Sequence, residues 1–253
     1  LITLASGKDN VALGQAEIIE DTQGRIRVHL VIRQETPKPY TTDSWVGVDV
    51  GWNVLAVSCL ATPTSLSQVD LHMKEYKTQI IQLKHLMKEY QRSGRSWGKW
   101  NNRLQNVIRN ATGTISKQVV AKAKKNHAGV VVEDLNFRSS TKQWLIPRFK
   151  LQMAIQNLCT REGIPFKKVN AKYTSQKCNR CGYITKENRM NKDFHCLKCG
   201  YSVHADVNAA MNIGRAAISS GYTSEDKETR LHAKVKGEVS TPVDTLILPM
   251  ENV

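Results

Sequence analysis

Three things are scarce in this chain of 253 residues: long apolar runs, acidic side chains and cysteine. No stretch is apolar for long enough to span a bilayer, which excludes a helical membrane span. Asp and Glu number 22 against 37 Lys and Arg, a net charge of +15 with a pI near 9.6. An excess of that size points to a polyanion, most simply nucleic acid. Between Lys74 and Lys125, 13 Lys or Arg meet only Glu75 and Glu89, a local net of +11. The charge is thus a surface, not a general solubilising coat. Of six cysteines, Cys59 and Cys159 lie in apolar runs, and no secretory signal precedes them. A disulfide framework is therefore disfavoured. At this length the chain can bury a sizeable core, in one large or two modest domains.

The other four cysteines form two Cys-x-x-Cys pairs, Cys178 with Cys181 and Cys196 with Cys199, each followed by Gly-Tyr and separated by fourteen residues. Such a turn lets two thiolates converge on one ion, and Gly182 and Gly200 permit the backbone to fold back beneath it. The spacing predicts a zinc ribbon over residues 173–203. Zinc there would be structural, because four cysteines leave no open coordination position. Asp206 follows at the start of a helix of small residues, over 204–218, able to pack closely on something flat. An Asp in that place reads either as a cap or as part of a site.

Val11 to Glu20 and Arg25 to Arg33 read as two strands joined by a turn, the second alternating at period two. Few partner strands are present, so residues 1–40 read as the last strands of a β-domain whose earlier part is missing or never encoded. Pro37 and Pro39 mark a linker. Trp45 to Leu60 reads as two buried strands around Gly51-Trp52-Asn53, and Asp49 lies inside the first. A carboxylate in a core strand is costly unless it is hydrogen-bonded, paired or on a metal.

From Met73 to Tyr90, and again from Trp97 to Ile115, apolar residues recur at spacings of three and four. This predicts a helical hairpin over about 70–127 whose apolar stripe is packing. Its outer faces carry Lys84, Lys88, Arg92, Arg95, Lys99, Arg103 and Arg109. With so few acids to neutralise them, these read as phosphate contacts more readily than as a solvated face. Gly129 to Leu135 is a continuous apolar strand ending in two acids, of which Glu133 is the better site candidate and Asp134 alternates away. A helix from about Pro147 to Glu162 and a strand near Pro165 to Val169 follow. A basic loop with Lys172 and Lys177 then leads to the ribbon and its Arg180. Beyond Ser219, residues 219–253 read as a tail, loosely held or disordered.

Asp49, Glu133 and Asp206 could converge on one edge of a mixed sheet flanked by helices, where hard carboxylate oxygens would bind Mg²⁺ for phosphodiester hydrolysis. The stretches Val-Gly-Val-Asp-Val-Gly, Val-Val-Val-Glu-Asp-Leu, Tyr-Thr-Ser-Gln-Lys-Cys-Asn-Arg-Cys-Gly and Asp-Val-Asn-Ala-Ala-Met-Asn-Ile occur in that order. Together they resemble the RuvC-like nuclease domain of the TnpB family of transposon-encoded RNA-guided nucleases. Compact type V CRISPR effectors and eukaryotic Fanzor proteins are its relatives.

The resemblance covers about Trp45 to Ile218 and implies an α/β, RNase H-like mixed sheet flanked by helices. Residues 41–172 would form its first part, with the helical hairpin and the zinc ribbon inserted. It implies a two-ion Mg²⁺ site on Asp49, Glu133 and Asp206, zinc on Cys178, Cys181, Cys196 and Cys199, and a guide RNA and target DNA as partners. The hairpin would line the heteroduplex channel, while sequence choice would rest on base pairing. Family members carry a larger N-terminal region, so a missing N-terminal part or a second chain is implied as well. An RNA-guided binder or repressor with little cleavage is the alternative reading. A further one is an unguided RNase H-fold nuclease such as a junction resolvase or transposase. The place of work would be the cytoplasm or nucleoid of a prokaryote, or the nucleus of a eukaryote.

Overall fold

The computed structural model describes residues 11–20, 24–50, 54–72, 74–134, 148–170 and 172–219. The Gly51-Trp52-Asn53 connection and the tail expected beyond Ser219 lie outside the described residues. Two compact units are present, one holding the first two strands and one running from Pro37 onward. Among the described residues no helix is long and apolar enough to cross a membrane.

The first unit is an antiparallel pair, β1 (Val11–Glu20) and β2 (Ile26–Gln34), with an irregularity between Leu13 and Ala16. Period-two alternation brings Ile26, Val28, Leu30 and Ile32 to one face, and all four are exposed.

The second unit is built on a five-stranded sheet. It contains β3 (Trp45–Asp49), β4 (Ala56–Ala61), β5 (Leu66–His72), β6 (Gly129–Asp134) and β7 (Phe166–Asn170) in the order β5-β4-β3-β6-β7. The first three pair antiparallel, while β6 runs parallel to β3 and to β7. β5 has no counterpart in the sequence reading. It sits where the polar run before the hairpin gives no clear alternation, and it is an edge strand.

α1 (Lys74–Arg92), α2 (Gly98–Lys125) and α3 (Arg148–Arg161) cover one face of this sheet, and α4 (Ala205–Ser219) covers the other. Alternation along β3 and β6 explains the division. Val46, Val48, Val130 and Val132 point into the core made with Ile80, Leu104, Ile115 and Leu151, whereas Trp45 and Val131 pack with Ile213 and Ala217 of α4. The next residues on the α4 side, by the same period, are Asp49 and Glu133.

α4 lies close to the sheet because its small residues meet a glycine. A Cβ on Gly47 would stand 2.3 Å from the Ala210 carbonyl oxygen and 2.4 Å from the Gly214 nitrogen, so only hydrogen fits there. Between β7 and α4 the chain forms a small antiparallel sheet of β8 (Arg189–Met190), β9 (Asp193–His195) and β10 (Ser202–His204), with Cys178 and Cys181 ahead of it and Cys196 and Cys199 between β9 and β10.

Candidate active site and metal centre

Asp49 ends β3, Glu133 lies one residue before the end of its parallel neighbour β6, and Asp206 is the second residue of α4. The last paired positions of the two strands are Val48 and Val132, so the two acids follow one another across the ladder. Asp206 does not cap its helix. His204 does so, its Nδ1 accepting the Asp206 backbone N–H at 3.3 Å, which leaves the Asp206 carboxylate for other work.

The three acids influence one another. Burial, then the charges of Glu133 and Asp206, push the Asp49 carboxyl up to about 7 against the opposing pull of Arg148 and Arg189. Burial also raises Glu133, while a hydrogen bond from the Thr174 hydroxyl holds it back. Two arginines thus face the acids. Arg189 of β8 places Nη2 3.0 Å from Asp206 Oδ1, and Arg148 at the start of α3 feels all three carboxylates. The other oxygen, Asp206 Oδ2, is buried with no hydrogen-bond partner among the described residues. Gln152, one turn into α3, donates to the Glu133 carbonyl at 2.9 Å and ties that helix to the end of β6.

The cysteine pairs form two matching knuckles. Gly182 N–H donates to the Cys178 carbonyl at 2.9 Å and Gly200 N–H to that of Cys196 at 2.8 Å, and both glycines adopt left-handed φ, 76° and 70°. Cys178 and Cys196 in turn donate to the carbonyls of Tyr183 and Tyr201, each at 2.8 Å. All four Sγ atoms lie within 4.8 Å of one another; among the described residues no other set of three or more His, Cys, Asp or Glu ligand atoms is so tight. The three carboxylates are therefore set wider than the thiols. Sγ separations of 3.5 Å (Cys181 to Cys196) and 3.8 Å (Cys178 to Cys199) are far beyond an S–S bond, so these four thiols are not joined as disulfides. Burial raises the Cys196 thiol, but the backbone N–H groups of Cys199 and Lys198 outweigh it and bring it down to about 6. Burial raises Cys178, and Cys199 is pushed up to about 12, so it is the convergence of four sulfurs that suits a soft divalent cation such as zinc.

Asparagines that the motif reading passed over join the two centres. Asn208 and Asn212, one turn apart on α4, both donate to the Lys177 carbonyl just before Cys178, at 2.8 and 2.7 Å. Asn212 also reaches the Thr174 carbonyl. Asn188, fully buried, bonds the Gln176 and Tyr183 carbonyls and accepts the Leu197 N–H, so it ties one knuckle to the other. The detectable signal was two Asn at helical spacing within an otherwise apolar, small-residue helix.

The ten basic candidates fall into two groups. Lys84, Lys88, Arg92, Arg95, Lys99, Arg103 and Arg109 ride on α1, α2 and their connection. Lys172 and Lys177 lie in the segment between β7 and the first knuckle, the segment that also carries Thr174, and Arg180 lies in the knuckle itself. Two other basic residues of the hairpin are neutralised internally: Lys122 pairs with Asp70 at 2.6 Å and Lys124 with Glu162 at 2.7 Å.

The family model of the Cas12f1-like TNB domain matches residues 149–213, from α3 through both knuckles into α4. Among curated relatives, the chain is 26% identical over 237 residues to InsQ of Escherichia coli (strain K12), whose name describes an RNA-guided DNA endonuclease, covering 80% of this chain and 57% of that one. It is 38% identical over 103 residues to the CRISPR-associated endodeoxyribonuclease Cas12f1 of Sulfoacidibacillus thermotolerans, covering 39% and 24%. A TnpB-like protein of Aquifex aeolicus is 31% identical over 134 residues, covering 47% and 43%. The fold matches that of a Cas12f1-sgRNA-target DNA complex with a TM-score of 0.56 at 15% identity, over 83% of this chain and 68% of that one. The mini-RNA-guided endonuclease CRISPR-Cas phi3 gives 0.57 at 16%, over 78% and 51%. The chain is thus related to the TnpB and Cas12f proteins, as its motifs indicate. It spans little more than half the length of InsQ.

Proposed function

We propose that this chain carries the nuclease centre of an RNA-guided DNA endonuclease, a RuvC-type, RNase H-like core with a structural zinc ribbon. The observation that carries the reading is the convergence of Asp49, Glu133 and Asp206, from two adjacent parallel strands and the helix packed across them, at a place where each acid is felt by the others or by the same two arginines. The strand order β5-β4-β3-β6-β7, three antiparallel and two parallel, supports the RNase H-like reading.

The residues fit a magnesium pair. Carboxylate oxygens are the ligands that ion prefers, and a buried Asp206 Oδ2 without a partner among the described residues is an anionic atom that a cation would satisfy. Bound there, Mg²⁺ would supply an activated water and stabilise charge on the phosphate being cut. The chain's own side chains do the rest. Thr174 orients the Glu133 carboxylate, Arg189 offsets Asp206, and Lys172, Lys177 and Arg180 bring positive charge to the strand approaching the acids. The hairpin, net +11, would hold the guide-target duplex by its phosphates, leaving sequence choice to base pairing. Residues 1–40 remain the end of a wedge-like β-domain in this reading, with 41–172 and 204–218 as the nuclease core and 173–203 as the ribbon.

The test is cleavage of a DNA matched to the RNA that co-purifies with the protein, with Mg²⁺ present or removed by chelator. Parent protein should cut only with RNA and Mg²⁺, and Asp49→Ala, Glu133→Ala and Asp206→Ala should each lose at least about a hundredfold. Cleavage by Asp49→Ala at the parent rate would sink the active-site assignment. Cutting that ignores RNA would leave an unguided nuclease, and tight RNA-dependent binding without cutting would leave the binder reading.

A further inference from the structure

Among the described residues, one member of the hairpin's apolar stripe is exposed. Trp97 falls on the same three-and-four spacing as Trp100 and Leu104, yet it is 41% exposed where Leu104 is 5% exposed. It stands at the N-cap position of α2, in a connection whose residues 91–99 are all exposed. Among the described residues no ring stacks on Trp97 and no cation sits over it.

Its surroundings are ordered around it. Tyr90 meets Trp100 edge-on at 5.7 Å, the Arg95 guanidinium lies 4.3 Å over the Tyr90 ring, and Arg95 Nε donates to Ser93 Oγ at 2.8 Å. The connection is closed by backbone bonds from Arg95 N–H to Tyr90 and from Ser93 N–H to Glu89, each 3.0 Å, with Gly94 at φ 67°. Asn101 N–H to the Trp97 carbonyl, also 3.0 Å, fixes the start of α2. Five basic residues, Lys88, Arg92, Arg95, Lys99 and Arg103, share this span of sequence with the three aromatics, Lys99 Nζ lies 5.9 Å over the Trp100 ring, and the single acid in the span, Glu89, has His85 3.6 Å away.

We propose that this connection is a stacking site for an unpaired base of a nucleic-acid strand, with the Trp97 indole as the platform. Every base has a π-face, an indole offers the largest aromatic surface among side chains, and the flanking cations suit the phosphates on either side of the stacked nucleotide. Tyr90, Arg95 and Trp100 keep the connection in place, so little ordering is needed on binding. A continuous duplex presents phosphates but no free base face, which makes a single strand the ligand. The proposal rests on the reading of the hairpin as a phosphate-binding surface, and adds to it a contact that charge alone does not supply.

The experiment compares, with the full chain, the affinity for a short oligothymidylate and for an abasic sugar-phosphate strand of the same length, each across a range of salt. Parent protein should bind the base-bearing strand roughly 5- to 100-fold more tightly. Trp97→Ala should bring the two affinities together while leaving abasic binding and its salt dependence unchanged, and Trp97→Tyr should keep most of the difference. Equal affinities in the parent, or a loss in Trp97→Ala shared by both strands, would overturn the stacking site while leaving the phosphate surface standing. If the parent bound neither strand, both readings would fall.

Discussion

Asn208 of α4 takes two hydrogen bonds from Asn179 of the first cysteine knuckle, from its backbone N–H at 3.1 Å and from Nδ2 at 2.9 Å, while donating its own Nδ2 to the Lys177 carbonyl at 2.8 Å. Asn208 lies two residues beyond Asp206, and it is fully buried. One side chain therefore fixes the first cysteine knuckle to the helix that carries Asp206. Asn208→Ala should destabilise the protein by about 2–4 kcal/mol, since it removes three bonds and strands a buried N–H. Thermal melting measures the loss, and metal analysis should find zinc retained. Cleavage reduced beyond what the lower melting point explains would establish the coupling, whereas full activity would show that Asp206 holds its place without the knuckle.

The four thiols make a second prediction. Thiols this close, with backbone N–H groups aimed at Cys196, are stabilised when a dication replaces their protons. Purified protein should hold one equivalent of zinc, and a strong chelator should lower the melting point. Cys178→Ser and Cys196→Ser should do so to a similar degree, because each knuckle contributes two ligands to one ion. A melting curve indifferent to chelator would show that the thiols are not a structural metal site.

Much of this was readable because it depends on spacing. The knuckles follow from Cys-x-x-Cys-Gly-Tyr repeated, Asp49 from a carboxylate inside an apolar strand, and Glu133 from a carboxylate at the end of one. The helical hairpin follows from the three-and-four recurrence, although Trp97 obeys that rhythm and still lies outside the core. What stayed hidden depends on tertiary neighbours. Arg148 and Arg189 are ordinary basic residues until the fold turns them toward the acids, and Thr174 is a loop hydroxyl until it meets Glu133. Likewise His204 takes the cap that local pattern would have allowed Asp206, and β5 owes its strand to pairing with β4 rather than to its own alternation.

Close packing of α4 on β3 leaves Gly47 no room for a side chain. Its missing Cβ would meet backbone atoms of Ala210 and Gly214, which cannot rotate aside as a side-chain end could. Gly47→Ala should therefore cost at least about 3 kcal/mol, the upper part of the range for overpacked cores. Gly214→Ala, whose Cβ would meet the Ala61 methyl at 2.8 Å, should cost less when combined with Ala61→Gly. Denaturant melts of the two single variants and the pair would check this. A fully stable Gly47→Ala would mean that α4 does not lie as close to the sheet as described.

The pH dependence of stability follows from Asp49. Burial and the neighbouring acids raise its carboxyl to about 7, while the unfolded chain releases that proton near 3.8. Between those values the folded state binds the extra proton, so stability falls as pH rises. The contribution is complete below about pH 4 and is lost as pH passes through about 7, where an ionised Asp49 must sit beside Glu133 and Asp206. Metal-free protein should accordingly melt at lower temperature toward pH 8, by a free energy on the order of 4 kcal/mol across the window. Glu133, raised by its own burial, acts in the same direction. Asp49→Asn keeps the shape without the charge, so it should melt above the parent at about pH 8 and level with it at about pH 4. Added Mg²⁺ should raise the melting point of the parent more than that of Asp49→Asn at the higher pH, because a bound cation relieves the same repulsion. If the variant and the parent melted together at both pH values, Asp49 would not be the strained carboxylate of the cluster, and the convergence on which the nuclease reading rests would lose its strongest physical support.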